Sequence, residues 1–265
     1  MTETAQHDSW SAGRSYDHYM GRWSRLIARD FLAWLHVPDN ADWADIGCGT
    51  GALTGTILEA ANPKSVAGFD LSEGFVAHAR QAIPDGRARL EVASAEDLPL
   101  ADNSVDAIAS ALVLNFVPDK KKALSEFQRV TRPGGTLSFY VWDYPGGGMG
   151  FIDAFWKAAA ALDPAARDLD EGARFLFCTP EGLQSLCDQA GLHDPVLKPI
   201  EVETVFADFD AFWHPFTLGA GPAPGYCMSL SEPDRERLRT LLQDRLGNGE
   251  VRLTARAFAV KATNR

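Results

Sequence analysis

The stretch Asp45-Ile46-Gly47-Cys48-Gly49-Thr50-Gly51 decides the fold class, because it joins a short apolar run to a segment with helical periodicity. Its glycines occupy alternate positions, where a ligand approaches the backbone and a side chain would block it. A residue without a Cβ atom permits both this close approach and a positive φ. The spacing is Gly-x-Gly-x-Gly, which differs from the Gly-x-Gly-x-x-Gly of dinucleotide sites. The pattern therefore favours a ligand-binding turn of another kind, with a tight strand-to-helix turn as the structural alternative.

Short apolar runs and helical periods alternate on both sides of this loop, which is typical of an α/β sheet. The predicted strands of the first half cover residues 43–46, 66–69, 90–93, 105–109 and 136–141. The predicted helices there cover residues 23–35, 52–60, 76–83 and 121–130. After Pro145 the pattern loosens, and it predicts helices at 151–162, 180–190 and 233–246, strands at 196–206 and 251–260, and breaks at 146–148 and 219–225. The strand at 251–260 is expected to return to the sheet antiparallel.

A second acidic residue, Asp70, ends the next predicted strand nineteen positions beyond Gly51. A carboxylate there can accept hydrogen bonds from both hydroxyls of a ribose, which indicates a nucleoside without saying which one. The alternative role for Asp70 is a helix N-cap in competition with Ser72. Together with Asp45 at the end of the first strand, the glycines and Asp70 favour a nucleoside site.

The loop resembles motif I of class I S-adenosylmethionine-dependent methyltransferases, and Gly68-Phe69-Asp70-Leu71-Ser72 resembles their second motif. Residues 94–100, 103–106 and 130–137 extend the resemblance to the ubiquinone/menaquinone-biosynthesis-like (methyltransferase type 11) branch. The resemblance is close over residues 40–142 and loose elsewhere. It implies an α/β fold, a three-layer sandwich around a seven-stranded, mostly parallel, Rossmann-like sheet with a lid insertion after the fifth strand. The implied domains are an N-terminal helical cap (1–38), a cofactor-binding core (39–142), a lid (143–228) and a C-terminal helix and strand that complete the core (229–265).

The resemblance also implies S-adenosyl-L-methionine as cofactor, with S-adenosyl-L-homocysteine as product. Gly47, Gly49 and Thr50 would line its methionine and ribose part, Asp70 would hold the ribose hydroxyls, and Ala111 would offer backbone contact near the sulfonium. The expected cofactor-binding residues are Tyr16, Tyr19, Arg22, Asp45, Gly47, Cys48, Gly49, Thr50, Gly51, Asp70, Leu71, Ser94, Ala95, Glu96 and Ala111.

Two parts of this set carry open alternatives. Ser94 and Ala95 would border the adenine, but many relatives have Asp where Ser94 stands, so that Glu96 or Asp97 could turn inward instead. In the N-terminal segment, Arg22 could pair with the methionine carboxylate as a two-pronged donor, and Tyr16 or Tyr19 could hydrogen-bond it. The alternative for these tyrosines is that they anchor the following helix on the sheet.

The acceptor side is expected in the loosely matched region. A methyl on sulfonium needs little activation, but a hydroxyl or acidic carbon acceptor needs a base, and His214 among aromatic residues is the candidate, with a structural role as its alternative. Asp143 and Tyr144 follow the fifth strand at the edge where open α/β sheets bind ligands, and with Trp213 they are the predicted substrate residues. The aromatic residues of this region favour an apolar or planar acceptor, or else form a small core of their own.

The composition of the chain limits the kinds of molecule that it is expected to bind. The formal net charge is -11 and the longest basic run is Lys120-Lys121-Lys122, which favours a small-molecule acceptor over nucleic acid. The four cysteines form no Cys-x-x-Cys pair, so neither a metal site nor a disulfide framework is predicted. No run approaches the ~20 apolar residues of a membrane span, and the polar N-terminus predicts a cytoplasmic protein. The oligomeric state is not indicated.

The segment after the fourth strand, Leu112 to Pro118, lacks the Asn/Asp-Pro-Pro-aromatic run of enzymes that methylate amino nitrogens of bases or glutamine. The leading hypothesis is therefore methyl transfer to oxygen, carbon or nitrogen of a small molecule. One alternative is a catalytically silent S-adenosylmethionine-binding protein. The other is a nicotinamide-dependent oxidoreductase, which would require the dinucleotide glycine spacing that this loop lacks.

Overall fold

The computed structural model describes residues 22–219 and 221–265, without the side chain of Arg22. Its strands are β1 Asp42–Ile46, β2 Ser65–Asp70, β3 Ala88–Val92, β4 Val105–Ala111, β5 Thr131–Trp142, β6 Val196–Phe206 and β7 Val251–Thr263. Its α-helices are α1 Arg22–Leu35, α2 Ala52–Ala60, α3 Glu73–Ala82, α4 Lys120–Val130, α5 Gly150–Leu162, α6 Glu171–Arg174, α7 Pro180–Gln189, α8 Phe209–Trp213, α9 Pro222–Ser229 and α10 Glu232–Leu246. Short 3₁₀ helices cover Leu114–Phe116, Pro164–Leu169 and His214–Leu218.

The strands form one seven-stranded sheet in the order β3-β2-β1-β4-β5-β7-β6. The pairs β1–β2, β1–β4, β2–β3 and β4–β5 are parallel. The pair β5–β7 is antiparallel. The seven-stranded, mostly parallel sheet and its antiparallel return strand are thus confirmed. The strand order reverses between β1 and β4, and open α/β sheets bind ligands at the carboxyl end of such a reversal.

The sequence of β1 explains its central place in the sheet. Four successive residues, Trp43 to Ile46, are buried, as expected for a parallel strand that is covered on both faces. On one face, Phe31 of α1 packs edge-on against Tyr140 of β5 at 4.8 Å between ring centroids. The apolar burial holds the strand rigidly, so the loop that follows it is presented from a fixed support.

An ion pair and a hydrogen bond connect the strands at the amino-terminal edge of the sheet, opposite the edge that carries the glycine loop. Arg132 at the start of β5 donates from Nη1 to Asp106 Oδ1 of β4 at 2.6 Å. Asp106 Oδ2 in turn accepts a hydrogen bond from Asp42 N of β1 at 2.8 Å. Three neighbouring strands are therefore linked where they begin, whereas their carboxyl ends lead into loops.

Most predicted elements lie within a few residues of their observed ends, but the predicted break at 219–225 is wrong in part. Helix α9 begins at Pro222, inside that stretch. Proline fits the first turn of a helix because its fixed φ suits the turn and its missing N–H would be unpaired there anyway. The proline pair therefore starts a helix after Gly221 instead of continuing the loop.

The described chain divides into two compact units. The core unit comprises residues 24–142, 177–200 and 257–265, and the aromatic unit comprises residues 22–23, 143–176 and the described part of 201–256. In the aromatic unit, Phe216 stacks on Phe151 and on Phe155 with 4.4 Å between ring centroids in each case. Phe206 and Phe212 continue the same packing at 5.3 Å. These rings form a core of their own, which was the second alternative for the aromatic region.

Candidate functional site

The loop after β1 adopts the left-handed backbone that its glycines allow. Gly47, Gly49 and Gly51 have φ of 76°, 52° and 91°. Gly47 N and Cys48 N both donate to Phe69 O of β2, at 2.7 and 2.9 Å, and Gly51 N donates to Cys48 O at 2.8 Å. The predicted strand-turn-helix is present, and the loop is tied to the neighbouring strand before α2 begins.

The surroundings of the three glycines differ. A Cβ atom on Gly47 would lie 2.2–2.7 Å from the side chain of Val113, and one on Gly51 would lie 2.5 Å from Ile83 Cδ1. At Gly49 nothing lies within 4 Å of the added atom. Gly47 and Gly51 are therefore required by packing, whereas Gly49 has open space on the side where a ligand can approach the backbone.

Asp70 connects the glycine loop to the second strand. Its Oδ2 accepts a hydrogen bond from Gly49 N at 3.0 Å, and its Oδ1 accepts one from Ser72 N at 2.8 Å. Burial raises the pKa of Asp70, and the two backbone hydrogen bonds oppose that shift. Ser72, not Asp70, is the N-cap of α3, since its hydroxyl accepts from Phe75 N at 3.3 Å. Each carboxylate oxygen of Asp70 has a second lone pair, so hydroxyl donors can still bind there.

Asp45 lies beneath the loop and is fully buried. Its Oδ2 accepts a hydrogen bond from Thr54 Oγ1 of α2 at 2.6 Å, while its Oδ1 has no partner among the described residues. Burial raises the pKa of Asp45 to about 7, and the charge of Asp70 adds to the increase. Sequence reasoning missed Thr54. The available signal was a threonine on the buried face of the helix that follows the loop.

Cys48 and Leu71, both predicted to bind the cofactor, have opposite environments. The Cys48 side chain packs with Val76, Ala79 and Leu90, so that only its backbone belongs to the loop. Leu71 follows Asp70 directly and is 70% exposed. It is an apolar surface beside the loop that a flat ring could cover, and its contact with the cofactor stays a prediction.

The segment after β3 has its polar groups engaged locally. Ser94 Oγ accepts a hydrogen bond from Glu96 N at 3.1 Å. Glu96 Oε1 accepts from Asp119 N at 2.9 Å, immediately before α4, and Asp97 is exposed. Neither acid therefore occupies the inward position that was considered as an alternative to Ser94. Ala95 is half-buried, and the adenine contacts of this segment stay predictions.

The backbone is strained directly after the end of β4. Ala111 is the last residue of the strand, and the next residue, Leu112, is buried with φ of 61°, which bulky side chains rarely adopt. Val113 then packs on Gly47. Asn115 is buried, and its Nδ2 has no hydrogen-bond partner in the described chain. Backbone strain and unpaired polar groups of this kind cluster at functional sites. Sequence reasoning did not single out Leu112 or Asn115.

The predicted substrate residues lie in the aromatic unit. The Asp143 side chain is 2% exposed and pairs with Arg256 at 2.6 Å. Its Oδ1 accepts from Gly146 N at 2.9 Å. These contacts hold the glycine-rich turn after β5, so Asp143 has a structural function whether or not it meets a substrate. Tyr144 is half-buried, with its ring 5.8 Å from that of Phe175.

Trp213 and the predicted base His214 lie together at the end of α8. Trp213 is 8% exposed, with its ring centroid 6.1 Å from that of Phe216. His214 is exposed, and its carbonyl oxygen accepts a hydrogen bond from Thr217 Oγ1 at 2.7 Å. Tyr16, Tyr19 and the side chain of Arg22 lie outside the described residues. The roles of all five residues stay predictions.

Among residues 22–219 and 221–265, no cluster of three or more His, Cys, Asp or Glu side chains is arranged to hold a metal ion. Over the same ranges, none of the helices combines the length and apolarity needed to cross a bilayer.

The structure thus brings together the glycine loop, Asp45, Asp70 and the strained turn after β4. All belong to the core unit and lie at or directly after the carboxyl ends of β1, β2 and β4, where the strand order reverses. Carboxylates and open backbone at this position are typical of Rossmann-like proteins that bind a nucleoside-containing ligand. The fold and the site define that class.

Comparison with known proteins shows which nucleoside-binding proteins this chain is similar to. Residues 44–139 match the profile of a family described as "Methyltransferase domain". A malonyl-[acyl-carrier protein] O-methyltransferase from Methylococcus capsulatus is 39% identical over 119 residues, covering 43% of this chain and 43% of that protein. A demethylmenaquinone methyltransferase from Symbiobacterium thermophilum is 33% identical over 122 residues, covering 43% of this chain and 47% of that protein.

A solved structure of similar fold is phosphoethanolamine N-methyltransferase 2 from Haemonchus contortus in complex with S-adenosyl-L-methionine. Its TM-score is 0.61 at 15% identity, and the match covers 96% of this chain and 58% of that one. The chain spans less than half the length of the two curated relatives named above. Over the matched residues it carries a class I S-adenosylmethionine-dependent methyltransferase domain of the ubiquinone/menaquinone-biosynthesis-like branch.

Proposed function

We propose that this chain transfers the methyl group of S-adenosylmethionine to an oxygen, carbon or nitrogen atom of a small molecule. The observation that carries the proposal is the arrangement of Gly49 and Asp70. Gly49 has open space above its backbone, and Asp70 holds Gly49 N while keeping lone pairs free for the ribose hydroxyls. The match of residues 44–139 to a methyltransferase domain supports the choice of nucleoside.

In the reaction the methyl–sulfur bond breaks with its electron pair left on sulfur, and a lone pair or carbanion of the acceptor forms the new bond in line with it. The leaving group is a neutral thioether, so orientation of the two reactants and exclusion of water can supply much of the rate. A proton leaves the acceptor when the attacking group is a hydroxyl or an acidic carbon. The roles of His214 as base, of Asp143, Tyr144 and Trp213 in substrate contact, and of residues 143–228 as a lid belong to this proposal.

By their names, one of these relatives is an O-methyltransferase of malonyl-[acyl-carrier protein] and the other is a methyltransferase of demethylmenaquinone. Supported by these relatives, the proposal favours acceptors with an acidic oxygen or carbon over amino nitrogens. The absence of the Asn/Asp-Pro-Pro-aromatic run after β4 agrees with that preference.

The proposal is tested first by binding. S-adenosylhomocysteine is titrated into the wild-type chain and Asp70→Ala by calorimetry, and the variant is expected to bind more weakly by about 1–3 kcal/mol because hydrogen bonds to a charged group are lost. Asp70→Asn should lie between them, since it keeps an acceptor oxygen. Asp39→Ala, which removes an exposed acid before β1, is the matched control and should bind as the wild type does. Equal affinity for Asp70→Ala and wild type would contradict the ribose assignment.

The second test follows the methyl group. Labelled S-adenosylmethionine is incubated with the chain and a small-molecule extract, and transfer of label to an extractable product is expected. Tight cofactor binding without any labelled product would instead support a silent binding protein. Binding of NAD alone, without S-adenosylhomocysteine, would overturn the proposal in favour of an oxidoreductase.

A further inference from the structure

Residues 93–104 connect β3 to β4 without a helix of their own, so their shape depends on contacts with other elements. At the start of this segment, Ala93 N donates a hydrogen bond to Asp70 O at 3.1 Å. The segment therefore leaves the sheet beside the acid that is assigned to the ribose hydroxyls. Because a nucleobase is bonded to the ribose carbon next to those hydroxyls, a nucleoside held by Asp70 places its base near residues 94–100. This step rests on the proposed function.

Two charged side chains of α4 hold the segment. Glu126 and Arg129 form a two-pronged ion pair, in which Nε donates to Oε1 and Nη2 donates to Oε2, at 2.7 Å each. Both side chains also bind the backbone of Leu98. Its N–H donates to Glu126 Oε2 at 2.9 Å, and its carbonyl oxygen accepts from Arg129 Nη2 at 3.0 Å. Arg129 Nη1 donates in addition to Leu100 O at 2.7 Å, so the segment is fixed at two successive carbonyl groups of its second half.

The charges of Glu126 and Arg129 strengthen these contacts. The hydrogen bonds from Arg129 keep the pKa of Glu126 below its usual value, so the carboxylate is charged at neutral pH. Hydrogen bonds in which one partner is ionised are about twice as strong as neutral ones. A guanidinium presents several donors in one plane, and it can therefore serve a carboxylate and two carbonyl oxygens at once. A lysine ammonium at the same position cannot do this.

The first half of the segment forms a tight turn that α4 also contacts. Ser94 and Asp97 form an isolated β-bridge across this turn. Between them, Glu96 Oε1 accepts a hydrogen bond from N of Asp119, the N-cap of α4, at 2.9 Å. Helix α4 therefore supports the segment both at its N-terminus and in its last two turns. A base beside residues 94–97 meets backbone groups whose positions depend on this helix.

A site distinguishes one base from another through donors and acceptors at fixed positions along the edge of the base. Adenine presents an amino donor beside a ring-nitrogen acceptor, whereas hypoxanthine presents an oxo acceptor beside a ring N–H donor. We propose that Glu126 and Arg129 are positioning residues for the cofactor site. By fixing Leu98 they keep residues 94–97 in the arrangement that fits adenine, so that the selection of the base depends on α4. Both residues act through the segment, without contact with the base.

The test compares two ligands that differ only in the base, S-adenosylhomocysteine and S-inosylhomocysteine. The ratio of their dissociation constants, measured by calorimetry, reports base selection, and any loss of folded protein cancels in it. The wild type should prefer S-adenosylhomocysteine about 10- to 100-fold, since the inosine analogue leaves buried hydrogen-bonding groups unpaired. Arg129→Lys keeps the charge but loses the planar donors, and it should lower this preference about 3- to 10-fold. Glu126→Gln keeps one oxygen for Leu98 N and should lower it less.

Two further variants separate this role from a merely structural one. Gln128 lies between the pair on α4 and donates to Gly191 O at 3.3 Å, so Gln128→Ala should keep the wild-type ratio. The double variant Glu126→Gln/Arg129→Lys should differ little from Arg129→Lys alone, because the two side chains act as one unit. Hydrogen exchange should show faster exchange of the Leu98 amide in Arg129→Lys than in the wild type.

A third ligand locates the effect. 5′-Methylthioadenosine contains the adenine but no amino-acid end, so Arg129→Lys should lose as much affinity for it as for S-adenosylhomocysteine. An unchanged ratio in Arg129→Lys, or a loss that 5′-methylthioadenosine does not share, would overturn the inference. A wild type that binds the adenine and inosine ligands equally well would overturn it too, while the proposed function would stand. If the wild type does not bind S-adenosylhomocysteine at all, the proposed function fails as well.

Discussion

Alanine at Gly47 should destabilise the chain, whereas alanine at Gly49 should hardly do so. Both glycines have positive φ, which costs an L-residue about 1–2 kcal/mol. The added methyl also lowers the entropy of the unfolded chain, which returns about 0.4–1 kcal/mol. These two effects act alike at both positions. They leave a net loss of about 0–1.6 kcal/mol for Gly49→Ala.

The residues packed around each glycine make the two variants differ in stability. The new Cβ at Gly47 would lie 2.2 Å from Val113 Cγ2 and 2.7 Å from Val113 Cβ, whereas the Cβ at Gly49 meets nothing within 4 Å. Forcing a methyl into a packed, β-branched neighbour costs about 1–3 kcal/mol. Gly47→Ala should therefore lose about 3 kcal/mol, about 2 kcal/mol more than Gly49→Ala.

Urea unfolding at 25 °C, followed by tryptophan fluorescence and circular dichroism together, measures both values. Adding Val113→Ala to each variant makes a double-mutant cycle, and a favourable coupling is expected with Gly47→Ala only. It should be partial, since Cβ of residue 113 remains too close. Gly49→Ala should instead lose S-adenosylhomocysteine affinity while staying folded. Equal destabilisation of the two variants would refute the assigned role of Val113.

Two further predictions concern the aromatic unit. Asp143→Asn should lower the free energy of unfolding by about 1–3 kcal/mol, because the partly exposed Arg256 loses its buried carboxylate partner. Asp143→Ala should lower it further, because the hydrogen bond from Gly146 N is also lost. Urea titrations that show no difference from wild type would contradict this prediction. Glu171 is fully buried, and burial raises its pKa to about 7, while the Trp156 indole donates to it. Because its pKa is higher in the folded than in the unfolded chain, the stability that it contributes is complete below pH ~4.5 and is lost as the pH rises to about 7. Glu171→Gln should flatten the stability profile between these pH values, and an unchanged slope in the variant would rule out Glu171 as its source.

The elements around the glycine loop could be predicted because their signals are local. A run of apolar residues, three glycines at alternate positions and a helical period follow one another within Trp43 to Ala60, and β1 and α2 form there. The same holds for β6, where the strand predicted over residues 196–206 has the same ends as the observed one. The error at 219–225 arose because proline and glycine were both interpreted as breaks, although proline also starts helices.

The residues that contact the site residues could not be predicted from the sequence, because they lie far away along the chain. Asp143 was assigned to the substrate from its position after β5, but its carboxylate pairs with Arg256, which lies 113 positions later in the chain. Only the antiparallel return of β7 beside β5 places these two residues together. Likewise Val113 makes alanine intolerable at Gly47 because the turn after β4 folds back over the loop after β1.

By itself, the sequence determined that a parallel sheet carries a glycine loop for a nucleoside, since backbone freedom, periodicity and strand-end acids depend on residues close together in the chain. Tertiary structure alone decided how those acids are charged. The protonation of Asp45 depends on its burial, on Thr54 from α2 and on Asp70 from β2. Electrostatic energy in a low-dielectric interior is set by distances across space, and the packing of helix and strands creates those distances.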